Sequence, residues 1–196
     1  MSDDSLIATV SDEELLARVA SGDAMAFAAL FRRRRTAVYR FALHLTGAPA
    51  AAEDVTQDVF LAVMHDAPRY EPARATVTAW LCGIARNHAR RRLQRDRLVL
   101  PFVEVGADDG IVQAVHPDPL DDLTRAERLD ALRRAVLSLP LKYREAVVLC
   151  DLQELSYADA AAAIGCALGT VRSRLHRGRS LLAAKLGVLH DLSPVR

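Results

Sequence analysis

Residues 156–179 read SYADAAAAIGCALGTVRSRLHRGR, and the helical architecture of the chain follows from this run outward. Ser156, with Asp159 three residues on, forms a capping box with Asp in place of Glu, the serine hydroxyl taking an orphan amide of the first turn. It opens a short, Ala-rich helix that runs to Ile164. Gly165 then turns the chain, because glycine enters the left-handed region at little cost. A longer helix begins near Ala167 and carries Val171, Leu175, Leu181 and Leu182 on its inward face. Short helix, glycine turn, longer arginine-bearing helix is the layout of a helix-turn-helix. Arg172, Arg174, Arg177 and Arg179 all stand on the second helix. Arg172, His176 and Arg179 share a face, and Ser173 and Arg177 lie beside it. Guanidinium groups fork onto guanine edges in the major groove, or onto phosphates. A merely solvated Arg-rich helix is the blander reading; it leaves the capped short helix and the glycine turn without a role.

Working back from this motif, helices are expected from about Leu123, with Leu129, Leu132, Val136 and Leu137 as the inward stripe. Leu139-Pro140 breaks that helix, and Tyr143 to Cys150 forms the next. Residues 98–122 lack helical periodicity and contain Pro101, Gly106, Gly110, Pro117 and Pro119. From Leu98 to Thr124 there is no Lys or Arg, while Glu104, Asp108, Asp109, Asp118, Asp121 and Asp122 all fall there. The net charge of +1 therefore hides strong segregation of charge. An extended, acidic linker is the expected form of this segment.

The N-terminal half predicts four helices. Ser11-Asp12-Glu13-Glu14 is a second capping box, followed by Leu15, Leu16 and Val19 on one face. A second helix from Ala24 carries Phe27, Leu30, Phe31, Val38, Phe41 and Leu45 at spacings of three, four and seven, and Gly47 and Pro49 end it. The third spans about Ala51 to His65, with Val55, Val59 and Val63 inward. Asp66 to Arg74 is a loop. The fourth runs from near Thr76 to about Arg95 with Trp80, Leu81, Ile84 and Leu93. The expected fold is all-α: an N-terminal helical bundle over 11–97, the acidic linker over 98–122, and a C-terminal helix-turn-helix domain over 123–188.

Two further segments carry chemistry. WLCGIARNHARRRLQRDR, residues 80–97, puts Arg86, Arg90, Arg91, Arg92, Arg95 and Arg97 on one helix with Asn87 and His88. The arginines wrap too far round for a single stripe, so some are simply solvated. The rest suit a surface that tracks a nucleic-acid backbone, with polar base readers near Asn87. In the third helix, Asp54, Gln57, Asp58 and Leu61 fall at i, i+3, i+4 and i+7 on one face, beside the valines. That spacing suits ordinary solvated surface and a docking face for a basic partner equally well.

Composition narrows the classes. Only 5% of the 196 residues are aromatic, and the apolar load falls on Ala, Leu and Val, as in a helix former. No apolar run approaches the roughly 20 residues that span a bilayer, and Met1 to Val10 is too acidic for a secretory signal. The three cysteines, Cys82, Cys150 and Cys166, are widely spaced without a CxxC, which fits a reduced, cytoplasmic protein. Walker loop, GxGxxG, HExxH and GxSxG motifs are all missing, and the six histidines lack metal-ligand spacing. No catalytic residue, metal or cofactor is expected.

The order of these segments resembles that of the extracytoplasmic-function sigma factors, the minimal group of bacterial sigma factors. Asp54-x-x-Gln57-Asp58-x-Phe60 is similar to the family's core-polymerase-binding helix, which usually has Glu where this chain has Asp58. Trp80-Leu81-x-x-Ile84-Ala85-Arg86-Asn87 looks like its promoter −10 helix. Leu139-Pro140, Tyr157-Ala158-Asp159 and Gly169-Thr170-Val171-Arg172-Ser173-Arg174-Leu175 look like its −35-reading domain. The resemblance runs from Asp12 to about Leu186. It implies a factor that binds core RNA polymerase through Asp54, Gln57, Asp58 and Leu61. It further implies −10 DNA contacts by Trp80, Arg86, Asn87, Arg90 and Arg91, with Asn87 at the pocket for a flipped base, and −35 contacts by Arg172, Ser173, His176, Arg177 and Arg179. Core polymerase, promoter DNA and an anti-sigma factor are the implied partners, with no small-molecule substrate. In related factors an acidic linker threads the polymerase's basic RNA path. The chain ends about ten residues past Leu186, so no further C-terminal domain is expected.

Two departures stand out: Ala167 replaces a frequent proline before the recognition helix, and Ala161 to Ala163 replace an Ile-rich pattern. Both imply looser packing there. Two rival readings are a dimeric helix-turn-helix repressor, which leaves residues 51–97 unexplained, and a sigma mimic, which has no need of both arginine clusters.

Overall fold

The structure, a computed structural model, describes residues 10–99 and 125–190. Apart from its first two residues, the acidic segment 98–122 lies outside the described residues, and so does the linker reading made for it. The described residues hold eight α-helices and no strand: α1 (Asp12–Ala20), α2 (Ala24–Thr46), α3 (Pro49–Asp66), α4 (Val77–Val99), α5 (Arg125–Leu137), α6 (Leu141–Val147), α7 (Tyr157–Ile164) and α8 (Leu168–His190). A 3-10 turn (Ala67–Arg69) follows α3, and a π-helical turn (Val148–Leu152) follows α6.

The caps lie where the sequence sets them. Ser11 accepts the Glu14 amide at 3.1 Å, and Asp23 accepts those of Met25 and Ala26 at 2.8 and 3.0 Å. Gly47, left-handed at φ 75°, ends α2. Pro49 then sits in the first turn of α3, where a missing amide costs nothing, so α3 begins two residues earlier than expected.

Leu15, Leu16, Leu30, Val38, Phe41, Leu45, Val55, Val59, Val63 and Leu81 are buried together at the centre of the N-terminal bundle. Phe27, Phe31 and Phe60 meet at its side, with Phe31 edge-on to Phe60 at 4.8 Å between centroids. Asp12, within the N-terminal capping box, is buried. It pairs with Arg33 at 2.7 Å and with Arg34, which joins α1 to α2.

In the C-terminal half α5 differs from expectation. Leu129 and Leu132 are exposed, while Ala131, Ala135 and Val136 form the buried face. The small face lets α5 lie close to the N-terminal bundle, with Leu137 filling the space left beside Gly47. The apolar core does not stop at the boundary between halves: Val136, Val148, Leu149, Ala160, Ile164 and Val171 belong to the same buried cluster as the N-terminal bundle. A smaller cluster of Leu139, Ala146, Val147 and Leu175 holds α6 against α8.

The alanines of α7 have a use in this packing. Ala160 and Ala163 are buried, and α4 approaches so closely that a Cβ added to Gly83 would lie 3.4 Å from the Ala163 carbonyl oxygen. Larger side chains on α7 would hold the helices apart. The expected looseness at Ala161 to Ala163 is thus replaced by a tight contact between halves.

Candidate nucleic-acid interface

The helix-turn-helix forms from local signals. Ser156 accepts the Asp159 amide at 3.0 Å, and Gly165, left-handed at φ 72°, donates to the Ala161 carbonyl at 2.8 Å. The turn closes without a proline: the Ala167 carbonyl accepts the amides of Thr170 and Val171 at 2.9 and 3.2 Å. Val171 and Leu175 are buried, which turns Arg172, Ser173, His176, Arg177 and Arg179 to the exposed side of α8. Their surroundings differ. The Arg172 guanidinium lies 5.8 Å from the centre of the Tyr157 ring, a cation–π contact that orients it from the neighbouring helix. The Ser173 hydroxyl donates to the Thr170 carbonyl at 3.0 Å. Arg179 is gripped by Asp151 through two bonds, of 3.1 and 2.5 Å, and so anchors α8 to the π-helical turn.

The second basic surface lies along α4. Asn87 and Arg91 are exposed and, with Arg86, Arg90 and Gln94, line a shallow hollow of about 440 Å³. Trp80 is half-buried and edge-on to Tyr70, with 5.5 Å between ring centres. Arg86 and Arg90 do not simply face solvent. Both converge on Glu145 of α6, with Arg86 Nε at 3.0 Å and Arg90 Nη1 at 3.2 Å from Oε1.

The acidic face of α3 is open. Asp54, Gln57 and Leu61 are exposed and Asp58 is half-exposed. Val55, Val59 and Val63 belong wholly to the core, so they give this surface no apolar edge; Leu61 and Met64, 50% and 54% exposed, supply it instead. Asp54 pairs with Arg92 and Asp58 lies 3.3 Å from Nδ1 of His88, so α3 and α4 are cross-linked between the acidic face and the basic one.

Three polar crossings between the halves escaped the sequence reading: Glu145 to Arg86 and Arg90, Arg144 to the Leu45 carbonyl at 2.7 Å, and Asp159 to the amide and hydroxyl of Thr76, both at 3.1 Å. One signal for Glu145 was present. It is a carboxylate set directly before the apolar run Ala146 to Leu149, and a charge buried there needs a cationic partner. Among the described residues no group of three or more His, Cys, Asp or Glu is placed to hold a metal ion.

Comparisons with known proteins follow the same division. The family model Sigma-70 region 2 matches residues 30–98, and Sigma-70, region 4 matches residues 129–182. Over 160 residues the chain is 39% identical to the ECF RNA polymerase sigma factor SigE of Mycolicibacterium smegmatis, covering 78% of this chain and 58% of that protein, so it spans less than two thirds of that relative. It is 36% identical over 190 residues to the ECF RNA polymerase sigma factor SigM of Mycobacterium tuberculosis, covering 92% of this chain and 87% of the relative. Among solved structures it resembles the sigma factor RpoE in complex with the anti-sigma factor NepR from Bartonella quintana. That match has a TM-score of 0.63 and 30% identity, over 83% of this chain and 97% of that one.

Proposed function

The chain belongs to the extracytoplasmic-function RNA polymerase sigma factors, alternative and non-enzymatic initiation factors that direct core polymerase to particular promoters, and we propose how its surfaces divide that work. Residues 11–97 act as the core-binding and −10 domain, 98–122 as the linker, and 123–188 as the −35 domain. Asp54, Gln57, Asp58 and Leu61 dock the core enzyme, the carboxylates meeting basic groups and Leu61 packing beside them. Trp80, Arg86, Asn87, Arg90 and Arg91 hold the separated −10 strand: the arginines along its backbone, and Asn87 at an extruded base. Arg172, Ser173, His176 and Arg177 enter the −35 major groove, with Arg179 at the edge because Asp151 shares it.

The observation that carries this reading is the pairing of two basic helices, α4 with Arg91 and Arg95 exposed and α8 with Arg172, Arg177 and Arg179 exposed, with an acidic and apolar face on α3 that is bonded to α4. A repressor needs only the α8 surface. A mimic needs neither arginine cluster. Acting on polymerase and promoter DNA, the protein works in the cytoplasm, and no described helix is long and apolar enough to cross a membrane. The likeness to RpoE bound to NepR supports control by an anti-sigma factor as well.

The test is binding to bacterial core RNA polymerase, followed by run-off transcription from a random promoter library with the resulting holoenzyme. Selection of a shared two-block promoter is the expected outcome. Failure to bind core would overturn the reading.

A further inference from the structure

Tyr157 is the first residue of α7 and keeps 38% of its surface exposed. It belongs to neither buried cluster. Its ring instead lies 5.8 Å from the guanidinium of Arg172, on the exposed side of α8. Arg172 follows the start of α8 at Leu168 by about one turn, in the part of a recognition helix that reaches base edges. We infer that Tyr157 is a positioning residue for −35 recognition: its ring covers the face of the Arg172 guanidinium and leaves the donor edge free to fork onto one base.

The inference rests on the proposed −35 role of Arg172. A guanidinium is planar, with all its N–H donors in the plane and a weakly hydrated face, so stacking on a ring costs it no hydrogen bond. Among the described residues none takes a hydrogen bond or an ion pair from Arg172, and its donor edge is open. Arg179 is the opposite case. Asp151 takes its donors at 3.1 and 2.5 Å and so occupies the edge that a base would need. Among the described arginines of α8, Arg172 is the one that lies over a ring. An unrestrained arginine on an exposed helix samples many rotamers and meets phosphates as readily as bases. One held against a ring has less freedom to lose on binding and is aimed in one direction. The setting is local: Ser156 accepts the Asp159 amide at 3.0 Å, and Gly165, left-handed at φ 72°, turns α7 into α8. Both partners belong to one helix-turn-helix, so the contact does not depend on the N-terminal half.

The test is run-off transcription by holoenzyme reconstituted with the full-length protein, from promoters randomised over the −35 block, with transcripts and input sequenced to give the preference at each position. Tyr157→Leu keeps an apolar side chain without a π face, Tyr157→Phe keeps the ring, and Arg172→Ala removes the reader. Arg172→Ala is expected to flatten the preference at one −35 position. Tyr157→Leu is expected to weaken the preference at that same position about threefold, the scale of one exposed cation–π contact, and Tyr157→Phe to retain it. Added to Arg172→Ala, Tyr157→Leu is expected to change no preference further. An unaltered preference in Tyr157→Leu, with the Arg172→Ala position flattened, would overturn the positioning role and leave the −35 reading in place. A uniform loss over all sequences, or an equal loss in Tyr157→Phe, would overturn it too, by marking the hydroxyl or a backbone contact as what matters. Every preference intact in Arg172→Ala would sink the −35 reading of that residue and the inference with it. Should Tyr157→Leu fail to fold, Tyr157→Gln, a helix former without a ring, carries the same measurement.

Discussion

Asn87 and Arg91 illustrate how little a single residue declares about itself. On α4 both are exposed beside arginines of identical sequence character, yet Arg86 and Arg90 are turned into the contact between halves. For Asn87 the proposed role is base readout, so Asn87→Ala is expected to lower open-complex formation on the order of tenfold, the range for losing one base-specific contact, with much less effect on initial docking. Permanganate footprinting against a docking assay on matched promoters would measure this, and equal open-complex yields would refute it. Cys82 is a residue whose structural setting overrides its chemistry. It lies inside the N-terminal core, and burial pushes its thiol up to about 12, only partly offset by the charge of Arg34. A thiolate is the reactive form, so Cys82 is expected to resist iodoacetamide at pH 8 in the native protein and to react fully in urea. Comparable labelling rates in the two conditions would contradict its burial.

At the scale of elements, local rules explain where helices start and stop, and amphipathicity explains less about which face turns inward. The capping serines at 11 and 156 and the left-handed glycines at 47 and 165 all sit at helix ends. By contrast, α5 buries alanines and leaves Leu129 and Leu132 outside, because close packing on the bundle rewards a small face over a large one. Ser156 connects both levels, since its hydroxyl caps α7 and also donates to Asp159 Oδ2 at 2.7 Å. Ser156→Ala is expected to destabilise the protein by about 1 kcal/mol, the typical worth of an N-cap. Urea unfolding measures this, and an unchanged midpoint would show that Asp159 caps the helix unaided.

For the whole molecule, the contact between halves gives stability a pH dependence whose direction can be worked out. His44 on α2 is held below its ordinary value by burial first and then by the charge of Arg133 on α5. Folding therefore favours its neutral form. Its contribution is complete above the unfolded value of about 6.5 and is lost as pH falls through the lower folded value. Asp159 has burial pushing its carboxyl up, but the hydrogen bonds from Ser156 and Thr76 outweigh it and leave the group below its usual range. Its contribution is present above about pH 4 and declines only as the solution becomes more acidic than that. The urea midpoint is thus expected to fall between pH 7.5 and 5.5, with a shallower fall in His44→Gln, and a second decline to follow in strong acid. Identical pH profiles for the parent and His44→Gln would remove His44 from the account.

The helical class, the helix ends, the inward valines of α3 and the helix-turn-helix are legible in the chain alone, because caps, glycine turns and helical periodicity are set by residues within a few positions of one another. The two basic helices and the acidic face can likewise be read there as candidate surfaces, since their charges are clustered along the chain. Which of those charges are engaged depends on the packing of the helices in three dimensions. Glu145 is separated from Arg86 by the whole acidic segment, and Asp159 and Thr76 are 83 positions apart. Pairings of that kind are fixed by how helices approach in space, through the small faces at Gly83 and Ala163, and no local pattern encodes that approach.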